Sequence, residues 1–312
     1  MSLTKHMFSI WKKLKSNLSN GVDAQHVKTA PALKQTAGYG LVWNGYEVAA
    51  SVLSDVGCER EINEDCGRYI NPADSNLTAN KGVLLLVADG VGGSSAGEIA
   101  SRTAADVISR VYYDHVGDMQ SSLIEAFREA NREIHSAASA NADLCGMGTT
   151  CSALALNRGS AVSANVGDSR LYLVRDEEIY LMTEDHSIVG SLVKHGIITR
   201  EEARRHPDKN VIISALGGSP EVSVATWDAP LPIRIGDRFV VCSDGLSDLV
   251  EDQEIKETVV SAPPTAACEK LIALAKERGG HDNITVGILE VEPAEITDAK
   301  VMRVTRELEF AK

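Results

Sequence analysis

The sequence is short of several things. Aromatic residues make up only 4% of its 312 positions, and there are nine prolines. No apolar run approaches the ~20 residues that a membrane-crossing helix needs; the longest compact one, Val83 to Ala88, has the length of a buried strand. Cys58, Cys66, Cys145, Cys151, Cys242 and Cys268 show no C-x-x-C spacing and are too few for a disulfide scaffold. Reduced thiols in a cytosol are the expectation, and a cytoplasmic location goes with it. The amino terminus has lysines but no apolar stretch ending in small residues, so no secretory leader is expected. The sequon Asn283-Ile284-Thr285 then carries no glycosylation meaning. Positive charge is scarce as well: 31 Lys and Arg face 44 Asp and Glu, a net −13. An acidic surface repels phosphate backbones, which argues against nucleic acid as a partner.

What is present is globular material, 44% hydrophobic and 24% charged, and this composition excludes wholesale disorder. Charge is unevenly placed. Residues 1–34 hold six lysines and one aspartate, so the remaining 278 residues carry −18. Residues 7–15 could form a short basic amphipathic helix that touches a membrane surface or a partner; the plainer reading is a solvated, frayed leader. The run to Tyr39 mixes Ser, Asn, Gly, Gln and Pro without periodicity and reads as a linker. Ordered chain is expected from about Tyr46.

From there strand and helix signals alternate. Val83–Ala88 is followed by Ile99, Ala100, Thr103, Ala104, Val107, Ile108 and Val111 at helical spacing. A second helix is expected over about Met119–Ala140. Residues 149–157, 160–166 and 171–174 read as strands in hairpin order, with Asn157-Arg158-Gly159 as a turn. Two small helices (187–195 and 199–205), strands at 47–53, 222–227, 239–241 and 284–291, and a last helix over 265–278 complete the pattern. Hairpin-grouped strands with helices in two batches predict sheet-on-sheet packing with helix pairs outside, an α+β fold.

One pattern recurs: a short apolar strand ends and an aspartate follows at once. It occurs at Val87-Ala88-Asp89-Gly90, Asn165-Val166-Gly167-Asp168 and Val241-Cys242-Ser243-Asp244-Gly245. Asp282 stands just before the last strand, whose start lies beside a neighbour's end in an antiparallel sheet, and Asp65 follows the first strand. Converging carboxylates repel one another unless a cation sits among them. Oxygen ligands without His or Cys favour Mg²⁺, Mn²⁺ or Ca²⁺. The competing reading is that each Asp-Gly is only a turn. Gly92 to Glu98 fails as a phosphate-cradling loop, because Glu98 stands where that loop needs lysine. Tight packing of a strand-to-helix corner is the better account.

These residues resemble a known family. Ser54 to Asp65, with Arg60 and Asn63-Glu64-Asp65, and Val87-Ala88-Asp89-Gly90-Val91-Gly92-Gly93 are similar to the opening motifs of the metal-dependent type 2C serine/threonine protein phosphatases, in their bacterial form. Gly148-Thr149-Thr150, Val166 to Arg170, Asp185-His186-Ser187, Cys242 to Leu246 and Asp282 to Thr285 continue the series in family order. The resemblance covers about 46–291, a catalytic domain flanked by a basic leader (1–45) and a carboxy-terminal extension (292–312). It implies a four-layer αββα sandwich of two mainly antiparallel sheets flanked by helix pairs.

The same resemblance implies two Mg²⁺ or Mn²⁺ ions. Asp89 would bridge them, with the Gly90 carbonyl and Asp65 at one and Asp244 and Asp282 at the other. A third, weaker ion would involve Asp168 with Asp244. Arg60 matches the arginine that forks onto the substrate phosphate, and 186–216 looks like the family's flap. The implied reaction is hydrolysis of phosphoserine and phosphothreonine in proteins modified by a bacterial serine/threonine kinase. Hydroxide bridging the metals attacks phosphorus in line and no phosphoenzyme forms. No cysteine has the C-x₅-R context of tyrosine phosphatases, so the thiols are read as core residues.

The sequence departs from the family in three places. Val91 and Ser94 stand where relatives carry histidine, which leaves the leaving-group proton to water or to His281. Ser214 stands where relatives often carry arginine. An inert phosphoprotein-binding relative is the other reading. Its mark is a lost metal aspartate, and all five are present.

Overall fold

The computed structural model describes residues 46–294 except 75, 76, 78, 79 and 93–95. The basic leader, with the amphipathic helix considered for 7–15, Gly93 to Ser95 and residues 295–312 therefore lie outside the described residues.

The described chain holds twelve strands, seven α-helices and a 3-10 helix (Ala142–Leu144), besides helical residues at 77, 80 and 81. β1 (Tyr46–Asp55), β2 (Asp65–Ile70) and β3 (Val83–Val91) lead into two long helices, α1 (Ala96–Asp114) and α2 (Met119–Ala140). Next come β4 (Gly148–Thr149), β5 (Cys151–Asn157), β6 (Ser160–Val166), β7 (Arg170–Arg175) and β8 (Glu178–Leu181). Short elements follow: α3 (Ile188–Lys194), α4 (Arg200–Arg204), β9 (Ala225–Thr226) and β10 (Leu231–Pro232). The chain closes with β11 (Arg238–Cys242), α5 (Asp244–Ser247), α6 (Asp252–Ser261), α7 (Pro264–Glu277) and β12 (Ile284–Pro293).

Every strand pairing is antiparallel. One sheet runs β1-β12-β11-β7-β8; the other runs β10-β6-β5-β3-β2, with β4 on β3 and β9 on β6. Two hairpins show how local chemistry sets the register. Arg158 and Gly159 both have positive φ (45° and 72°) between the paired residues Asn157 and Ser160, a two-residue loop whose twist suits its strands. Asp176 and Glu177 do the same (52° and 62°) between Arg175 and Glu178. That loop has neither Gly nor Asn, so β8 carried no hairpin signal. The strand expected over 222–227 forms only at Ala225–Thr226.

Alternation along β3 builds three cores. Leu84, Leu86 and Ala88 face α1 and α2, where Ile108, Tyr112, Leu123, Phe127 and Ile134 are buried. Val83, Leu85 and Val87 face the other sheet, against Leu171, Phe239, Val241 and Leu289. On that sheet's far side Val240, Val286 and Ile288 pack on α6 and α7 through Ile255, Val259, Leu271 and Ala275. The order of layers is helices, sheet, sheet, helices, the expected αββα sandwich. Each of these large side chains contributes about 1.5–3 kcal/mol by leaving water. Helix ends follow their capping residues: Asp118 accepts from Ser121 N at 2.7 Å, and Thr199 with Glu202 forms a capping box.

At the end of the sandwich where β3 terminates, β1, β6 and β11 also terminate and β2, β7 and β12 begin. The opposite end holds a buried ion pair: Arg175 Nε and Nη2 donate to the two oxygens of Asp237 at 2.7 and 2.6 Å. The core-thiol expectation holds for Cys151, Cys242 and Cys268, which are buried. It fails for Cys58 and Cys145, which are exposed on connections that no layer covers.

Candidate active site

Neither Asp89-Gly90 nor Asp244-Gly245 is a turn. Asp89 and Gly90 lie inside β3, paired with Asp65 and Thr149, and Asp244 opens α5 directly after β11. Asp168 follows β6, and Asp282 precedes β12, whose Ile284 pairs with Asp55. Antiparallel order thus delivers five carboxylates from five segments to one end of the sheets. Gly90 is required there: a Cβ on it would stand 2.3 Å from the Gly97 carbonyl oxygen and 2.6 Å from that of Glu64.

The backbone around the cluster is held by polar side chains. Thr150 N and Thr149 Oγ1 both donate to the Asp89 carbonyl at 2.8 Å, and Asp89 N donates to Thr150 Oγ1 at 3.3 Å. Ser243 Oγ donates to Asp65 Oδ2 at 2.8 Å. Asn283, buried beside Asp282, donates from Nδ2 to the carbonyls of Val56 and Ile62 at 3.0 Å and accepts from Glu64 N at 2.8 Å. This one side chain fixes the loop that carries Arg60. The Arg60 guanidinium donates from Nη2 to Asp282 Oδ2 at 2.9 Å. His186 Nδ1 accepts from Gly167 N at 3.1 Å, and burial keeps its pKa low, which suits a neutral acceptor.

The electrostatics are one-sided. Burial first, then the charges of Asp244 and Asp282, raise the Asp65 carboxyl to about 7. Burial with Asp244 and Asp185 nearby takes Asp168 to about 8. Burial with Asp248 and Asp282 takes Asp244 to about 6. Asp89 is pushed well up by burial and by Asp65, Asp244 and Asp168 together. Asp244 raises the cost of ionising Asp65, Asp89 and Asp168, so these carboxyls hold their protons more tightly than free ones do.

Asp65, Asp89, Asp168 and Asp244 are raised together, and the charge of Asp282 adds to the rise at Asp65 and Asp244. Among the described residues no three of them are drawn up as a finished metal cage. Asp282 is turned to Arg60. Two buried carboxylate oxygens, Asp168 Oδ1 and Glu64 Oε1, have no hydrogen-bond partner. All-oxygen donors, mutual repulsion and orphaned carboxylate oxygens fit hard divalent cations.

Sequence reasoning passed over three residues of this neighbourhood. Glu64 is a buried carboxyl beside Asp65, raised by burial. Asp248 is the acidic neighbour of Asp244 and is ion-paired to Lys209. Asn283 is the staple just described. Their only sequence signal was adjacency to a chosen aspartate, one to four residues away. The segment 186–216 is anchored at both ends beside the cluster: His186 N donates to the Gly167 carbonyl at 2.9 Å, and Leu216 pairs with Thr149.

The sequence profile described as Protein phosphatase 2C matches residues 74–268. A curated relative, the serine/threonine phosphatase stp of Listeria innocua, is 36% identical over 247 residues, covering 77% of this chain and 95% of its own. The crystal structure of the Mycobacterium tuberculosis serine/threonine phosphatase PstP/Ppp superposes with a TM-score of 0.69 at 37% identity, covering 80% of this chain and 99% of that one. The catalytic domain of PstP in complex with two manganese ions matches equally, with a TM-score of 0.69, 35% identity, and coverage of 79% and 99%.

Proposed function

Because the chain belongs to the protein phosphatase 2C family and is a protein serine/threonine phosphatase, we propose that its aspartate cluster holds two Mg²⁺ or Mn²⁺ ions and hydrolyses phosphoserine and phosphothreonine in proteins. The observation that carries this reading is the set of mutually repelling buried carboxyls, with an orphaned oxygen on Asp168 and, among the described residues, Arg60–Asp282 as the one ion pair the five aspartates make.

Asp89, Asp244, Asp282, Asp65 and the Gly90 carbonyl would hold the two ions, and Asp168 with Asp244 a third, weaker one. Bound there, they supply the charge and Lewis acidity that let water attack phosphorus in line, without a phosphoenzyme. The residues of this chain do the rest. Arg60 exchanges its contact with Asp282 for a fork of hydrogen bonds to the phosphate oxygens. Asn283 keeps that arginine's loop in reach. Thr149 and Thr150 fix the backbone of Asp89, so its carboxylate would be offered to the ions from a rigid strand. The leaving alkoxide takes its proton from water or from His281.

Residues 46–291 form the catalytic domain of this reading, with 1–45 and 292–312 as extensions. Substrates are phosphoproteins made by a serine/threonine kinase in the bacterial cytoplasm. Among the described residues no helix is long and apolar enough to cross a membrane.

The test is hydrolysis of p-nitrophenyl phosphate by metal-stripped protein, with Mn²⁺, Mg²⁺ or Ca²⁺ restored separately. Turnover that returns with Mn²⁺ or Mg²⁺ and disappears with chelator is expected. Folded protein that binds these ions and turns over nothing would overturn the proposal in favour of an inert phosphoprotein-binding module.

A further inference from the structure

β7 leaves the aspartate cluster carrying a line of polar side chains that the chemistry above does not use. Arg170 Nε and Nη2 fork onto Asp185 at 2.6–3.1 Å. Arg170 Nη1 donates to the Tyr172 hydroxyl at 3.2 Å. That hydroxyl donates in turn to Asp252 Oδ1 at 3.2 Å, and Arg204 Nη2 reaches the same oxygen at 3.4 Å. Asp185, Arg170, Tyr172, Asp252 and Arg204 thus form an unbroken polar chain. It starts next to the root of the 186–216 segment, crosses two positions of β7 and the first residue of α6, and ends in that segment's second helix, α4.

Tyr172 is the middle link. Its side chain is fully buried, with the ring in the apolar core between the sheet and α6–α7. A phenylalanine would fill that space equally. The hydroxyl is therefore present for its two partners, since a buried phenol without them is costly. The segment it braces borders the cluster, fixed at Gly167 on one side and Thr149 on the other, and it exposes Val211 and Ile213. A phosphoprotein is large enough to touch this segment while its phosphorylated residue is at the aspartates, and a small aryl phosphate is not.

We propose that Tyr172 is a positioning residue for protein substrates: its hydroxyl couples Arg170 to Asp252 and so fixes α4 and the 186–216 segment against the end of β7 beside Asp168. The inference rests on the phosphatase chemistry proposed above. Tyr172→Phe removes the hydroxyl and keeps the ring. It raises KM for a phosphothreonine peptide about five- to tenfold, the cost of one or two hydrogen bonds, while kcat for the peptide and both constants for p-nitrophenyl phosphate stay within about twofold. Amide exchange across 188–213 speeds up, and the sheet amides stay protected.

Arg204→Gln, on the outer side of the chain, gives the same peptide KM, and the double variant is no worse than either single one. Equal losses on both substrates, an unchanged peptide KM, or additive effects of the two variants overturn the proposal. Wild-type protein without turnover on either substrate overturns the phosphatase reading instead, and exchange across 188–213 then decides the brace by itself.

Discussion

β7 and β11 are antiparallel neighbours, and their two ends hold aspartates in opposite conditions. At one end Asp237 is buried in the fork of Arg175, two charges that answer each other. At the other end Asp168 and Asp244 are packed with Asp65 and Asp89, and burial and mutual repulsion push all four carboxyls upward. A buried charge needs a partner: Asp237 has an ion pair, and among the described residues none of those four carboxyls does. The difference separates a carboxylate that holds the fold together from carboxylates kept available for something from outside.

The comparison breaks hardest at the paired end. Asp237→Ala strands the Arg175 guanidinium and is expected to cost roughly 3–5 kcal/mol of stability, read by urea denaturation, with normal turnover per folded molecule. Asp244→Asn at the other end reverses the pattern. Activity falls at least about a hundredfold, as expected when a group holding a catalytic metal is removed. Apparent Tm in chelator holds or rises, because one repelling charge is gone.

pH sharpens the contrast next. The folded pKa values near 6, 7 and 8 for Asp244, Asp65 and Asp168 lie above the unfolded value near 4. The folded state therefore binds more protons across that window. Metal-stripped protein should be most stable near pH 4–5 and lose Tm, on the order of 5 °C, as pH rises to 8; a flat profile would contradict the one-sided field. Mn²⁺ at pH 8 restores the loss. The smallest effect is expected from Asn283→Ala, which loosens the Arg60 loop and costs about tenfold in kcat/KM, while metal titrations stay unchanged.

Much of this was legible in the sequence where chemistry is local. The Asn157-Arg158-Gly159 hairpin, the helix from Met119 to Ala140, and the capped helices after Ser187 and Thr199 each carry their signal within a few residues. β8 did not, because Asp176 and Glu177 accept positive φ with no residue that prefers it. α5 was hidden by its length, four residues inside the Ser243–Asp248 stretch, and α6 by a face with only Ile255 and Val259 buried. In the site, aspartates next to strand ends could be picked out. Glu64, Asp248 and Asn283 could not, since nothing in their own neighbourhoods announces what lies opposite them. Arg170 and Tyr172 belong to the same class: their partners are 15 and 80 residues away.

The strand order has a consequence in time. β12 is the last strand of the described chain, yet it lies between β1 and β11 in its sheet and brings Asp282 to the cluster. A ribosome-bound chain that stops short of Ile284 has β1 and β11 side by side with nothing between them. The sheet, the α6–α7 core and the site then close in one late event that joins residues more than 230 positions apart in sequence. Contacts of that span make folding slow and leave strand edges open in the meantime. Chains that stop short of Ile284 should therefore show no turnover, and activity should arrive in a single step once β12 is available to pair.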